Sequence, residues 1–479
     1  MKTLIESLCS IVGSAHVLTD GDLSAYEQDW RKRSRGKALA VVRPGCTDEV
    51  AAVVKACLTA RARGAAVSIV PQGGNTGLVV GGTPDDSGMQ IVLSLTRMRA
   101  VRSVDAANLT ITVEAGCVLH SLQVAAQQAG FLFPLSLAAE GSCTIGGNLG
   151  TNAGGTQVLR YGNARDLCLG LEVVTAQGQV WHGLTGLRKD NTGYDLRHLM
   201  IGSEGTLGII TAATMKLFPQ PAARLTAWAA VPSLQAAVDL LGMAQQHLAS
   251  SLTGFELMGR FALSLVAKNF PQQRVPFVSH PVQSGGTPFC VVLELSDSES
   301  ESHARSRFDT LMERALDAAH ITDAVVAENL SQAHALWHIR ESIPMAQAME
   351  GLNIKHDISI PVSLIPEFVT VTDALLYTAI PGVQLVNFGH LGDGNLHYNV
   401  QCPDGVDQKA FLREYEHKVN ALVYDSVLAF GGSISAEHGV GSLKKGELAH
   451  YKSAVALQMM HAIKAALDPH AILNPGRVV

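Results

Sequence analysis

Apolar positions along this chain recur with two different periods, and the changes of period outline its elements. Residues 38–42 form a short apolar run suited to a buried strand. Thr47 then offers an N-cap, with Asp48 and Glu49 in the first turn. Val50, Val53, Val54, Cys57 and Leu58 continue at helical spacing as far as Gly64, a suitable stop. Residues 67–70 are the next strand, so a strand–helix–strand unit runs straight into a glycine-rich loop. Further on, 111–115 reads as a strand and 119–128 as a helix. Residues 171–175 and 179–182 flank Ala176-Gln177-Gly178, a hairpin signal. Residues 208–218 form a strand that Pro219 and Pro221 end. The opening MKTLIESLCSIVGSAH has its apolar run interrupted by Glu6, which predicts an amphipathic helix rather than a signal peptide.

Those prolines also predict a domain boundary near residue 220. Beyond it, helical patterns at 234–248, 303–319 and 330–349 alternate with extended segments at 288–295 and 384–388. From about 408, two more helices frame 431–441. Long helices against a mostly antiparallel sheet make an α+β domain. At 479 residues the chain exceeds what one hydrophobic core serves, so domains at 1–220 and 221–430 and a C-terminal segment at 431–479 are expected.

Composition narrows the chemistry. The chain is 47% hydrophobic and 16% charged, as in a globular enzyme, and its net charge of −6 comes with no basic stripe. Nucleic-acid binding is excluded on that ground, since phosphate contacts need clustered Lys and Arg. No run approaches ~18 uninterrupted apolar residues, so no membrane span is expected. The eight cysteines are scattered without a CxxC, which points to reduced thiols and a cytoplasmic location.

Three glycine loops carry the first functional signal. Pro71-Gln72-Gly73-Gly74-Asn75-Thr76-Gly77 follows a strand, and its glycines let backbone N–H groups converge on an anion. The spacing is neither GxGxxG nor a P-loop, which disfavours a nicotinamide or kinase site. Six glycines between Gly141 and Gly155 exclude a stable helix or strand interior there. Gly202-Ser203-Glu204-Gly205-Thr206-Leu207-Gly208 repeats the theme. Together the three loops predict a long, flat cofactor held mainly by backbone groups.

The second signal is Gly389-His390-Leu391-Gly392-Asp393-Gly394-Asn395-Leu396-His397. With Asp393-Gly394 as a two-residue turn, His390 pairs directly with His397 on one face. Their Cβ atoms would then stand about 4.5–5.5 Å apart, close enough to share a metal. Ser435-Ala436-Glu437-His438-Gly439-Val440-Gly441 offers a third ligand, and three protein ligands with an open position make a catalytic centre. A polar histidine pair beside a turn, without metal, is the plainer alternative. Adjacent Glu437 and His438 reach one site only if the backbone there is irregular, as Gly439 and Gly441 permit.

PQGGNTGL, PLSLAAEGSCTIGGNLGTNAGG, RYGNARDLCLGLEVV, RKDNTGYDL and IGSEGTLGIIT resemble the FAD-binding half of vanillyl-alcohol-oxidase-type flavoproteins. Within that family the chain is most similar to D-2-hydroxyglutarate dehydrogenases, with D-lactate dehydrogenases and glycolate oxidase subunits as cousins. The likeness runs from about residue 35 to the end. It implies an FAD-binding domain of two α/β subdomains, an antiparallel cap domain with helices for substrate, and a helical C-terminal segment returning to the flavin. It implies that Gly73 to Leu78 hold the pyrophosphate and that Ser142, Gly146, Asn148 and Asn152 lie along the cofactor. Pro71, Pro134, Gly141, Ile145, Gly147, Gly154 and Gly155 belong to the same implied cradle, as do Glu204, Gly205 and Gly208. Ile210 falls near the adenine and Asn474 returns to the flavin. The first loop has no His or Tyr, so the FAD is expected to be non-covalent.

The same resemblance makes His390, His397 and Glu437 ligands of a divalent metal, expected to be zinc, and His438 the catalytic base. It makes Arg340, Lys355 and Asn399 substrate contacts, the two cations serving carboxylates. Where the pattern calls for Thr four residues beyond Arg340, this chain has Pro344. The implied reaction is oxidation of a D-2-hydroxy acid by hydride transfer to flavin N5, with D-2-hydroxyglutarate the foremost substrate. An electron-transfer flavoprotein or a quinone would take the electrons, and a homodimer is one assembly to test. D-lactate or glycolate oxidation, a zinc hydrolase and a non-catalytic flavin subunit are the competing readings.

Overall fold

The strand–helix–strand reading of the first segment corresponds to Ala38–Val42, Thr47–Ala62 and Ser68–Gln72. The computed structural model describes residues 2–278 and 287–479. Gly64, at φ 91°, stops the helix as expected. The cap differs: Cys46 is the N-cap, and Thr47 is already helical. Thr47 instead donates its hydroxyl to Glu172 at 2.6 Å, a long-range bond that local pattern cannot reveal.

The chain folds into two compact units, one of 1–154, 162–220 and 437–479, the other of 155–161 and 221–436. Unit 1 has two main sheets and a small two-stranded pair, Phe131–Leu132 with Phe218–Pro219. In the first, Ala38–Val42, Gln90–Ser94 and Ser68–Gln72 run parallel, and Val17–Leu18 adds an antiparallel edge. The second is antiparallel, in the order Val101–Asp105, Thr110–Glu114, Ile209–Lys216, Cys168–Val174, Val180–Gly183. Its last two strands are the predicted hairpin, with Gly178 at φ 70° in the turn.

The glycine segment 141–155 departs from expectation. Ile145–Thr151 is a short helix that includes Gly146, Gly147 and Gly150. Helix propensity argues against this, but packing overrides it: a Cβ on Gly146 would stand 2.7 Å from the Ala115 methyl. The helix ends at Asn152 in the left-handed region.

Unit 2 is built on an eight-stranded antiparallel sheet among the described residues. Its order is Asp323–Val326, Ala223–Val231, Phe289–Asp297, Leu252–Gly259, Gln384–Gly389, Asn395–Gln401, then the short Asn353–Ile354 and Asp357–Ser359. The segment around Lys355, expected as one strand, is thus broken in two. Helix Leu330–Met349 forms over the predicted span and packs Ile339, Ile343 and Ala346 into the core with Val386 and Phe388. Three helices rather than two lie beyond residue 408: Gln408–Ala429, Lys445–Tyr451 and Ala454–Leu467.

Among the described residues one stretch, Val362–Ala379, is long and apolar enough to cross a membrane by length and composition. It carries Glu367 and Asp373, and its Ile365, Phe368 and Leu376 are buried within unit 2.

Candidate active site

Unit 1 carries an open groove with a cavity volume of about 150 Å³. Pro71, Gly73, Gly74, Asn75, Thr76 and Gly77 line it from the first loop, and Gly146, Gly147 and Asn148 from the short helix. Glu204, Gly205, Gly208 and Ile210 line it from the third loop. The chain leaves open space where a ligand would lie: a Cβ on Gly77 or Gly150 would meet nothing within 4 Å. The Thr144 hydroxyl is buried in the wall without a protein partner, a donor that a bound group can use. Val80, also in the lining, is held at φ 59°, a strained conformation for a β-branched residue.

Several predicted positions are not in the lining but behind it. Ile145 is buried, as is Pro134, and Asn152 uses its side-chain oxygen to accept from Arg165 N–H. Ser142 donates to the Ala139 carbonyl, and a Cβ on Gly74 would overlap the Ser142 carbonyl. Leu78 is half-buried and Gly141 exposed. A Cβ on Gly154 would fall 2.5 Å from the Glu437 carboxylate, while Gly155 belongs to unit 2. Asn474 ties two loops together, donating to the Gly81 and Glu204 carbonyls at 2.9 and 2.8 Å. Residues the sequence reading missed include Gln72, Val79, Gly81, Thr83 and Thr144. Apart from Gly81, glycine counting has no purchase on them, because they enter the groove as neighbours of the loops.

His438 lines this same groove. The backbone from 435 to 441 has no regular structure, and Gly439 and Gly441 adopt φ 80° and 52°. That irregularity is what adjacent Glu437 and His438 require. Glu204 accepts the N–H groups of Val440 and Gly441, each at 2.7 Å, and burial pushes its carboxyl upward despite them.

In unit 2 the histidine pair forms, but not by the expected register. His397 is opposite Phe388, not His390. Gly389, at φ 153°, closes the strand; Leu391–Asp393 makes a 3₁₀ turn and Gly394 is left-handed. The connection is therefore longer than two residues, and His390 leaves the ladder. The rings still meet edge to face, with centroids 5.6 Å apart.

Acidic groups back both rings. His390 Nδ1 hydrogen-bonds the Glu256 carboxylate, and His397 Nδ1 lies 3.8 Å from Asp357, its cross-strand neighbour. A carboxylate on one imidazole nitrogen fixes the tautomer and leaves Nε2 of His390 as the lone-pair donor. Glu256 also accepts Arg340 Nε at 2.7 Å, and the guanidinium sits 4.9 Å above the Phe388 ring. Burial opposes the charge of Glu256, but His390 and Arg340 outweigh it and hold the carboxyl at about 2. Burial pushes Asp393, on the turn, up to about 6. Glu256→Leu leaves the buried Arg340 guanidinium and the His390 Nδ1–H without their acceptor. It is expected to destabilise the fold by ~3–5 kcal/mol, read by thermal denaturation. An unchanged midpoint would show that the chain Arg340–Glu256–His390 holds nothing together.

Asn399 is buried and doubly engaged: its oxygen accepts His356 N–H at 3.2 Å and its nitrogen donates to Gln347 at 2.8 Å. Lys355 is half-buried between the two short strands, and Pro344 lies inside the helix that carries Arg340. Glu437 follows Ala436, whose N–H bonds the Asp357 carbonyl at 3.2 Å.

A glycine-walled groove with a histidine in its lining, and a second unit built on an antiparallel sheet, are the two parts expected of a flavin-dependent oxidoreductase. Residues 38–183 match the FAD binding domain family, and 220–478 match the C-terminal domain of FAD linked oxidases. The chain belongs to this FAD-linked oxidase family. It is 40% identical over 478 residues to a D-2-hydroxyglutarate dehydrogenase of Xanthomonas citri pv. viticola, covering 99% of this chain and 96% of the relative. A putative mitochondrial D-lactate dehydrogenase of Schizosaccharomyces pombe is 35% identical, with 98% and 89% covered. The fold is also that of substrate-bound p-cresol methylhydroxylase, with TM-score 0.77 at 17% identity, covering 100% of this chain and 96% of that one.

Proposed function

We propose that this protein oxidises D-2-hydroxyglutarate to the corresponding 2-oxo acid, with FAD and a divalent metal, zinc by its ligand chemistry. The carrying observation is His438 on the wall of the flavin groove. The relatives named for this substrate support it across nearly the whole chain. FAD, when bound, supplies the hydride acceptor, and the metal, when bound, supplies Lewis acidity at the substrate oxygens.

The chain's own residues do the rest. His438 takes the proton of the 2-hydroxyl, a task suited to imidazole near neutral pH. His390, His397 and Glu437 hold the metal, two imidazoles and one carboxylate. Nitrogen and carboxylate donors of this kind suit zinc. Arg340 and Lys355 receive carboxylates, with Glu256 fixing the angle of Arg340. The reading includes non-covalent FAD, because the first loop offers no His or Tyr for attachment. It includes reoxidation by an electron-transfer flavoprotein or a quinone, and a cytoplasmic location supported by eight free thiols. A zinc hydrolase leaves the glycine groove unexplained.

A dye-coupled screen of D-2-hydroxy acids tests the proposal. D-2-hydroxyglutarate is expected to exceed D-lactate in kcat/KM by at least about tenfold, since its second carboxylate can pair with a cation that a methyl group leaves unused. Equal or greater turnover of D-lactate would replace this reading with a D-lactate dehydrogenase.

A further inference from the structure

The third glycine loop carries a carboxylate whose two oxygens both accept backbone N–H groups. Glu204 lines the flavin groove, yet its two oxygens are spent on the loop that follows His438. Oε1 accepts Val440 N–H and Oε2 accepts Gly441 N–H, each at 2.7 Å. The fit admits only glycine alongside: a Cβ on Gly439 would stand 2.7 Å from Oε1, and a Cβ on Gly81 3.2 Å from Oε2. Both Gly439 and Gly441 are at positive φ, and Glu204 is itself left-handed at φ 52°.

The backbone of Glu204 is tied to the other two loops. Its N–H donates to the Gly150 carbonyl at 2.8 Å, and its carbonyl accepts Asn474 Nδ2, which also bonds Gly81. The Val79 carbonyl accepts Ser442 N–H at 3.1 Å from the same returning segment. Glu204 therefore bonds the second glycine segment and the histidine loop directly, and through Asn474 it reaches Gly81, just beyond the first loop. A lone flavin contact does not require this arrangement, and a non-glycine residue holds left-handed backbone only when its surroundings over-determine it.

We propose that Glu204 is a positioning residue for His438, so that the loops seating the cofactor also set the place of the base. The inference rests on His438 being that base. With the clamp removed, the histidine loop keeps its sequence but loses its fixed point, and the proton acceptor spends less time within reach of the hydroxyl.

The test compares Glu204→Ala, Glu204→Gln and Gly439→Ala as flavin-loaded protein, with His438→Asn in parallel. Glu204→Ala is expected to lower kcat at least tenfold with KM changed less than threefold and flavin absorbance retained. Glu204→Gln keeps one acceptor and should lose less. Gly439→Ala disturbs the clamp from the opposite side and should match Glu204→Ala, so the idea survives a variant that fails to fold. Unchanged kcat in all three, or full recovery of turnover on adding excess FAD, overturns the proposal. If His438→Asn retains turnover, the assignment of the base falls instead, and the two failures are told apart.

Discussion

Treatment with a chelator is expected to abolish turnover while the protein stays yellow. The glycine groove is lined by none of the three proposed metal ligands, His390, His397 and Glu437. Removing the metal therefore leaves the flavin walls intact. His397→Ala should do the same from the protein side, lowering kcat/KM by about 10³-fold, since a Lewis acid contributes several kcal/mol to the transition state. Added zinc should restore the chelated protein but not the variant. Full activity in metal-free protein would eliminate the metal from this account, and loss of yellow colour on chelation would show that the metal also holds the flavin in place.

The second large effect is expected at His438. His438→Asn removes the proton acceptor but preserves a polar side chain of similar reach. General-base loss typically costs 10²–10⁴-fold, and the fall should appear in kcat and in the rate of flavin reduction by substrate. Flavin content should stay at one per chain, because the groove is walled mainly by the glycine loops. A variant that reduces its flavin at the native rate would assign the proton to another group.

How far these residues could be read from sequence depends on the range of the forces that place them. Helices such as Leu119–Gln128, Leu234–Leu248 and Leu330–Met349 follow from their own periodicity, and their bounds were legible. The helix at Ile145–Thr151 was not, because a contact with Ala115, thirty residues away, decides it against local propensity. The meeting of His390 and His397 was anticipated but its geometry was not. A two-residue turn is the local default, whereas Gly389 and a 3₁₀ segment lengthen the connection and move His390 out of register. Glu256 escaped notice for a different reason. It is 134 residues from His390 in sequence, and the one clue was an acid inside the otherwise apolar strand Leu252–Gly259.

The path of the chain between its two units has a consequence for biosynthesis. Leu473 pairs in parallel with Ile69, and Ile69 N–H and carbonyl are bonded by Ile472 and Asn474. A strand made early thus waits for residues made some four hundred positions later, after all of unit 2 has emerged. A nascent chain stalled before residue 437 would therefore leave the Ser68–Gln72 edge of its sheet unpaired and open to the cell's quality control.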